Sequence, residues 1–483
     1  MKKSLFVTII ISTLVGCSAP EVHDATTSNE LPTIFPDYKY VTVPATIAPL
    51  NFSVGNADAI DITIDSNNGQ SMRLRSRSNT TNFDIDEWHK LLAANIGSDI
   101  KVTVNGRKNG QWTTYKPFNI TISTDSIDYG LTYRLIAPGY EVYGRMGIYE
   151  RDLSNFDQKT IFESTQSVGI CINCHTANRA NPSQSSMHFR GPNGATIIRK
   201  DGKMTAYNMK SAPDSLGCVY TYWHPDGRYI AYSQNNTLQS FHMKGDERIE
   251  VFDTSSDISI FDTETDSLIR PSCLHTTDYE TFPAFSPDGK TLYYCTSQPH
   301  PVPQEYKDIK YNLCRVSFDA ATGTIGNDVD TLIDARAEGK SIAWPRPSYD
   351  GRFIVYTLID YGQFSIWHRE ADLYVYDTQT GTSRPLTAAN SDNTEAFHNW
   401  SSNSRWLVFT SRRLDGLYTR AYITHIDEEG NASKPFLLPQ DDPSVFYCRL
   451  MMSYNTPDFC THPTDYNAKL AEQKLYGDKT VAK

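Results

Sequence analysis

The sequence predicts an all-β protein on three observations: short runs of alternating apolar and polar residues in its first quarter, a Pro-Asp-Gly turn that recurs at near-regular spacing in its second half, and Asn, Gly and Ser clusters between the runs. With 39% apolar and 12% aromatic residues in 483, the chain can bury a large core and has room for two to four domains or one large repeat array. The expectation is an N-terminal β-sandwich-like domain followed by a β-propeller.

The first residues read as an export signal. Lys2 and Lys3 give a basic start, and Leu5 to Val15 form an apolar core shorter than a membrane span. The run closes Leu14-Val15-Gly16-Cys17, which resembles a bacterial lipoprotein signal: residues 1–17 would be the leader, with Cys17 acylated and membrane-anchored by that lipid. In lipoproteins of this type the non-acidic Ser18 implies the outer membrane of the cell envelope. Residues 18–36, rich in Ser, Thr, Pro and acidic residues, read as a flexible tether. A net charge of -11 argues against nucleic acid as a partner.

Residues 37–125 carry strand-like runs at Lys39–Val43, Ile60–Ile64, Met72–Leu74, Ile100–Val104 and Phe118–Ile122. One helix is expected over Asp84 to Ala94, where Trp88, Leu91 and Leu92 share a face behind an acidic start.

Downstream, the run from Trp223 through Gly227 to Tyr232 is repeated from Phe285 through Gly289 to Tyr294 and from Pro347 through Gly351 to Tyr356. A degenerate copy runs from Trp400 through Ser404 to Phe409. By subtraction the turn residues lie 62, 62 and 53 positions apart, longer than a minimal blade, so loops are inserted. Pro presets φ, Gly accepts positive φ, and the aromatic and β-branched residues that follow make a strand. A second strand pair follows each unit and completes four strands.

These repeats resemble the TolB-type β-propeller. Phe241-His242, Trp367-His368 through Asp372, Asn399-Trp400-Ser-Ser and Thr410 to Arg413 add a likeness to exported TolB-like lipoproteins of Bacteroidetes, which carry a C-x-x-C-H element between their two β regions and are described as cytochrome-c-like. The likeness covers about residues 125 to 460. It implies a propeller over 187–462, of six blades, the first partial from about Met187 to Asn208 and the last closed by chain from elsewhere, with a tail at 463–483. The fourth copy departs from the pattern, with Asn403-Ser404 in place of Asp-Gly.

Cys171-Ile172-Asn173-Cys174-His175 is the C-x-x-C-H pentapeptide itself, on a connector spanning 126–186. Two thiols at this spacing can bond to the vinyl groups of one haem c per chain while the imidazole of His175 takes an axial position on the iron. Met187 and His188 follow closely enough to supply the opposite ligand, His188 being preferred, with His224 and His242 behind it. The competing readings are a disulfide or redox-active thiol pair, and a zinc site with His175 and His188. His224, His242, His368 and His398 otherwise read as structural side chains.

Six further cysteines, Cys218, Cys273, Cys295, Cys314, Cys448 and Cys460, permit three disulfides, with Cys295–Cys314 and Cys448–Cys460 as the natural pairs and buried free thiols as the alternative. Glu280 and Glu395 each lie nine positions before a repeat's turn residue, where they would face the channel as a cation site or acid–base pair, or else pair with Arg346, Arg412 or Arg413. Hydrolase signatures such as Gly-x-Ser-x-Gly are absent. Two functions follow: an envelope electron-transfer or redox-sensing haem protein whose propeller docks a redox partner, or a haem-free scaffold that binds a protein or peptide.

Overall fold

The computed structural model describes residues 19–138, 145–167, 169–210, 216–245 and 247–483. The expected leader and Cys17, the expected acylation position, lie outside the described residues. The described residues are mainly β-structure, with three short α-helices among them.

The N-terminal region is built on one seven-stranded sheet, with the strands Ala59–Ser66 and Asp99–Lys108 at its centre. Ile60, Ile62, Ile64, Ile100, Val102 and Val104 are buried, as the alternation requires. A two-stranded ribbon, Ile34–Phe35 with Ser53–Val54, and the helix Ile85–Ala93 accompany it. Asp84 caps that helix by accepting from the Glu87 amide at 3.0 Å, and Trp88, Leu91 and Leu92 are buried as expected. The expected tether is largely ordered: Thr26–Thr27 pairs in parallel with Gln111–Thr114, and Glu21 reaches Arg75 at 2.9 Å. An unpaired sheet edge accounts for this, because the tether's backbone satisfies it.

Six sheets follow among the described residues, antiparallel except for the pairing of Lys203–Asn208 with Thr480–Val481, each with a strand of one end touching its counterparts in the two adjacent sheets, so that the end strands close a ring. These inner strands are Ser453–Cys460, Cys171–Asn178, Val219–Trp223, Tyr279–Phe285, Ser341–Pro347 and Glu395–Trp400. Closure is by chain from far away: Ser453–Cys460 pairs with Gly130–Ile136, inside a sheet whose other strands are Gly147–Asp152 and Gln158–Glu163.

Residues 126–186, expected as a connector, thus hold three strands of one sheet and the innermost strand of the next. The C-x-x-C-H segment is β-structure rather than loop: Cys171–Asn178 pairs with Asn181–Arg190, and Ala195–Lys200 and Lys203–Asn208 complete four strands. The "partial" unit expected from Met187 is therefore whole. Residues 463–483 are a brace rather than a tail. The helix Ala468–Tyr476, capped by Asn467, buries Ala471 and Leu475 against Ile148, Phe162, Ile172 and Met187, and Thr480–Val481 adds a fifth strand to the C-x-x-C-H sheet. Burial of Leu475 alone is worth about 2 kcal/mol.

The cysteines are unbridged among the described residues. Register explains the pair expected at Cys295 and Cys314: Cys295 faces Leu313 and Cys314 faces Tyr294, so the thiols point to opposite sides of one sheet. Cys448 is exposed on the helix Pro443–Arg449, whereas Cys460 is buried against Gly130.

Candidate functional site at the channel mouth

Each inner strand carries a bulge at the same place. The pairing shifts between Asn173 and His175, Val219 and Tyr222, Thr281 and Ala284, Ala343 and Arg346, and Ala396 and Asn399, and in the closing strand between Asn455 and Asp458. Within each bulge sits a non-glycine residue in the left-handed region: Cys174 (φ 47°), Tyr220 (48°), Phe282 (53°), Trp344 (56°), Phe397 (50°) and Thr456 (43°). Such backbone costs about 1 kcal/mol or more per residue and re-aims the side chain. Six equivalent side chains are thereby turned toward the axis.

Four of them are aromatic and form a continuous arc. Ring centroids lie 4.6 Å apart for Tyr220–Phe282, 5.5 Å for Phe282–Trp344 and 5.0 Å for Trp344–Phe397. The other two, Cys174 and Thr456, are small. A cavity of about 1000 Å³ lies against this uneven ring, lined by Cys174, Tyr220, Trp344, Phe397 and Thr456. The aromatic members were legible in the sequence, because Tyr220, Phe282, Trp344 and Phe397 each stand seven positions before Gly227, Gly289, Gly351 or Ser404.

A long β-ribbon forms the far wall. Tyr229–Phe241 and Ile249–Asp262 run on past their sheet and lean across the axis, with Asn235, Thr237, Gln239, Phe241, Ile249 and Val251 against the cavity. Three contacts moor this arm. Tyr361 donates to Glu250 at 2.6 Å, Tyr311 donates to Asp253 at 2.6 Å, and His368 lies 3.5 Å from Glu250 and 3.0 Å from Glu370. Burial alone would lower the His368 pKa, but the two carboxylates outweigh it and hold the group at about 9. His368 is therefore structural and charged.

The C-x-x-C-H residues divide between two faces. Cys171, Asn173 and Cys174 line the cavity, together with His188, whose Nδ1 shares a hydrogen bond with Thr196 Oγ1 at 3.0 Å. Burial lowers the His188 pKa to about 3 and raises that of the Cys174 thiol, so both are neutral. His175 is not on the cavity wall. Both its ring nitrogens are buried without a hydrogen-bond partner, and burial lowers its pKa to about 4. Met187, opposite it in register, packs into the core with Ile172 and Phe189.

The pentapeptide thus fits a covalent haem in its thiols and not in its axial imidazole, which is absent from the wall of the space the porphyrin would fill. Zinc fits no better. Among the described residues, the only His, Cys, Asp or Glu group close enough to share an ion is His300, Glu305 and Asp308.

The channel carboxylates are not at the channel mouth either. Glu395 is fully buried and takes hydrogen bonds from Ser391 at 2.6 Å, Ser411 at 2.8 Å and Arg413 at 2.9 Å. Glu280 accepts from the Thr276 hydroxyl, and its other oxygen is buried unpartnered; burial raises its pKa to about 7. Of the other histidines singled out in the sequence, His224 and His398 are structural: His224 Nε2 lies 2.9 Å from the Gly289 carbonyl and His398 Nε2 lies 2.8 Å from that of Val355. His242 is exposed, with its backbone amide donating to the Arg248 carbonyl at 3.0 Å.

No protein-family model and no curated protein matches the chain in sequence. Among solved structures it is similar to an oligogalacturonate lyase in complex with manganese (TM-score 0.37, 11% identity, 64% of this chain and 72% of that one). It is also similar to prolyl oligopeptidase B from Galerina marginata (0.37, 11%, 62% and 43%) and to the tricorn protease (0.29, 12%, 71% and 46%).

Proposed function

We propose that this chain is an exported, lipid-anchored binding protein of the cell envelope, a TolB-like propeller of six blades that takes its ligand in the cavity at the channel mouth. The observation that carries the reading is the break in the ring of bulge residues. Four blades present aromatic rings to the axis, two present Cys174 and Thr456, and the cavity lies against both kinds. Its volume is of the size that seats a small ligand or the end of a peptide. The lipid at Cys17, the outer-membrane location and export itself rest on the leader sequence.

Filling the gap tests the reading. Cys174→Phe places an aromatic ring where four other blades already hold one, so the backbone is suited to it. In a thermal-shift survey of small molecules and short peptides, compounds that stabilise the exported wild-type chain are expected to leave Cys174→Phe unmoved. Equal stabilisation of both proteins by every active compound would overturn the assignment of the site.

A second reading, one covalent haem c per chain in an electron-transfer or redox-sensing protein, is favoured by one observation: Cys171, Cys174 and His188 share the cavity wall. His188, rather than His175 or Met187, is the imidazole on that side. Export alongside a cytochrome c maturation system decides between the readings. A Soret band, with a haem mass lost in Cys171→Ala/Cys174→Ala, would establish the haem protein; a mass of polypeptide plus lipid is the result expected for the binding protein.

A further inference from the structure

The charge around the cavity runs opposite to that of the chain. The protein carries 56 Asp and Glu against 45 Lys and Arg, yet no described residue lining the cavity is acidic, and six are basic: Arg134, Arg145, Arg190, Lys210, Arg412 and Lys479. At the chain-wide frequency about five acidic residues would be expected among this many positions.

The basic residues differ in how far they are already used. Arg145 pairs with Glu163 at 2.6 Å, and Arg412 lies 3.4 Å from the Trp367 ring centre and donates to the Ile366 carbonyl at 2.6 Å. Arg134 donates to Asn173 Oδ1 at 2.6 Å and to the Ile172 carbonyl at 3.2 Å, which fixes it behind the thiol-bearing strand, while its Nε is buried without a partner. Arg190, Lys210 and Lys479 have no carboxylate within ion-pair distance among the described residues. Arg190 and Lys210 are exposed at the cavity rim and Lys479 is half-buried, and cations gathered with no carboxylate close by among the described residues repel one another. An arrangement of this kind is stabilised when an anion enters. Beside the cations the cavity wall carries the aromatic rings of Tyr220, Trp344 and Phe397, with the Arg346 guanidinium already stacked 4.0 Å from the Trp344 ring centre, and such rings take flat apolar surface.

We infer that the cavity is selective for an anion carried on a flat ring system, an aryl or polyene carboxylate, sulfonate or phosphate, with Arg190 and Lys210 meeting the charge and Trp344 and Tyr220 the ring. This inference rests on the binding-protein reading and names the chemistry of that site. Arg190 supplies a planar fork suited to a carboxylate or phosphate edge, and Lys210 supplies a point charge beside it.

The test uses two dyes that share a scaffold. Anilinonaphthalene sulfonate carries the anion, and phenylnaphthylamine is the same ring system without it. Fluorescence titration of the full mature chain is expected to show one sulfonate dye per protein, bound at least about tenfold more tightly than the neutral dye, with affinity falling as salt rises. Arg190→Gln/Lys210→Gln should weaken the sulfonate dye about tenfold or more while leaving the neutral dye and the unfolding midpoint unchanged, and the charge-keeping exchange Arg190→Lys/Lys210→Arg should restore most of the loss. If both dyes bind alike and the double variant changes neither, the anion assignment falls and the binding protein stands. If neither dye binds, and neither do inorganic phosphate or benzoate by calorimetry, both readings fall together.

Discussion

The imidazole of His224, in the turn of one blade, lies 2.9 Å from the carbonyl oxygen of Gly289, in the corresponding turn of the next. The same relationship runs around the ring with other chemistry. Gln184 lies under Gly227, Pro287 under Gly351, the Asp350 amide donates to Ser404 Oγ at 3.1 Å, and the Ser402 amide donates to Asp128 at 2.7 Å. The Pro-Asp-Gly units thus close individual hairpins and also stack blade on blade. Gly289 holds φ +72°, and a Cβ there would overlap the His224 ring.

Gly289→Ala should therefore cost more than the conformational penalty alone. Backbone strain and displacement of a buried imidazole together are expected to lower stability by about 2–4 kcal/mol. His224→Ala should cost about 1–3 kcal/mol through the unpaired carbonyl and the void. Because the two changes disrupt one contact, the double variant should fall short of their sum, as read from thermal or denaturant unfolding.

The arm over the cavity carries a pH signature. His368 is raised in the folded state from an ordinary 6.5 to about 9, so its contribution to stability is fully present below pH 6.5 and lost as pH rises through 9. By linkage that contribution is about 3 kcal/mol. Wild-type protein should lose stability between those limits, and His368→Gln should flatten that part of the curve. Hydrogen exchange in Glu250 and its neighbours should quicken in parallel if the mooring of the arm is what titrates.

Glu280 behaves in the opposite sense to a paired carboxylate. Burial raises its pKa from 4.5 to about 7, so folding favours its neutral form, and the stability this gives at acid pH is lost as pH rises from 4.5 through 7. Glu280→Gln keeps a neutral group of the same shape. It should leave the unfolding midpoint near its wild-type value at pH 5 and raise it by a few degrees at pH 8; a lowered midpoint at pH 8 would mean that the carboxylate is needed ionised.

How much of this was written in the sequence depends on whether local chemistry decided the matter. The helix after Asp84 and the strands after each Pro-Asp-Gly turn follow from capping, periodicity and turn preference, which act within a few residues. The degenerate copy is a related case. Ser404 keeps the left-handed turn at φ 61°, and Asn403 accepts from Ser401 Oγ at 2.6 Å just as Asp288 accepts from Ser286. Its amide also donates to the Ser126 carbonyl at 2.7 Å, which a carboxylate could not do, so the departure from the repeat marks where the N-terminal region docks. The C-x-x-C-H segment was misplaced because spacing says which residues are near in sequence and nothing of which face they take. Its bulge at Cys174 sends the thiols to the cavity and His175 to the other side, and a bulge is set by the partner strand. The brace formed by Ala468–Tyr476 was equally hidden, since the apolar surface that holds it comes from residues roughly three hundred positions earlier.

Ring closure makes the C-terminal chain indispensable. Ser453–Cys460 is the inner strand of the sheet begun at Gly130, and Tyr454 and Phe459 are buried in the cluster shared by that sheet, the neighbouring blade and the N-terminal region. A chain ending at Met452 would expose the edge of Gly130–Ile136 along with the apolar surfaces on both sides of the gap, and an unpaired edge beside apolar surface invites association between chains. The truncated protein is expected to be recovered as aggregate or as a species without a cooperative unfolding transition. A chain ending at Pro463, which keeps the closing strand and loses only the brace, should fold with a midpoint lowered by several degrees. Supplying residues 453–483 as a separate peptide should return solubility to the shorter chain. Failure of that rescue, together with cooperative unfolding of the chain ending at Met452, would show that the ring does not depend on this strand.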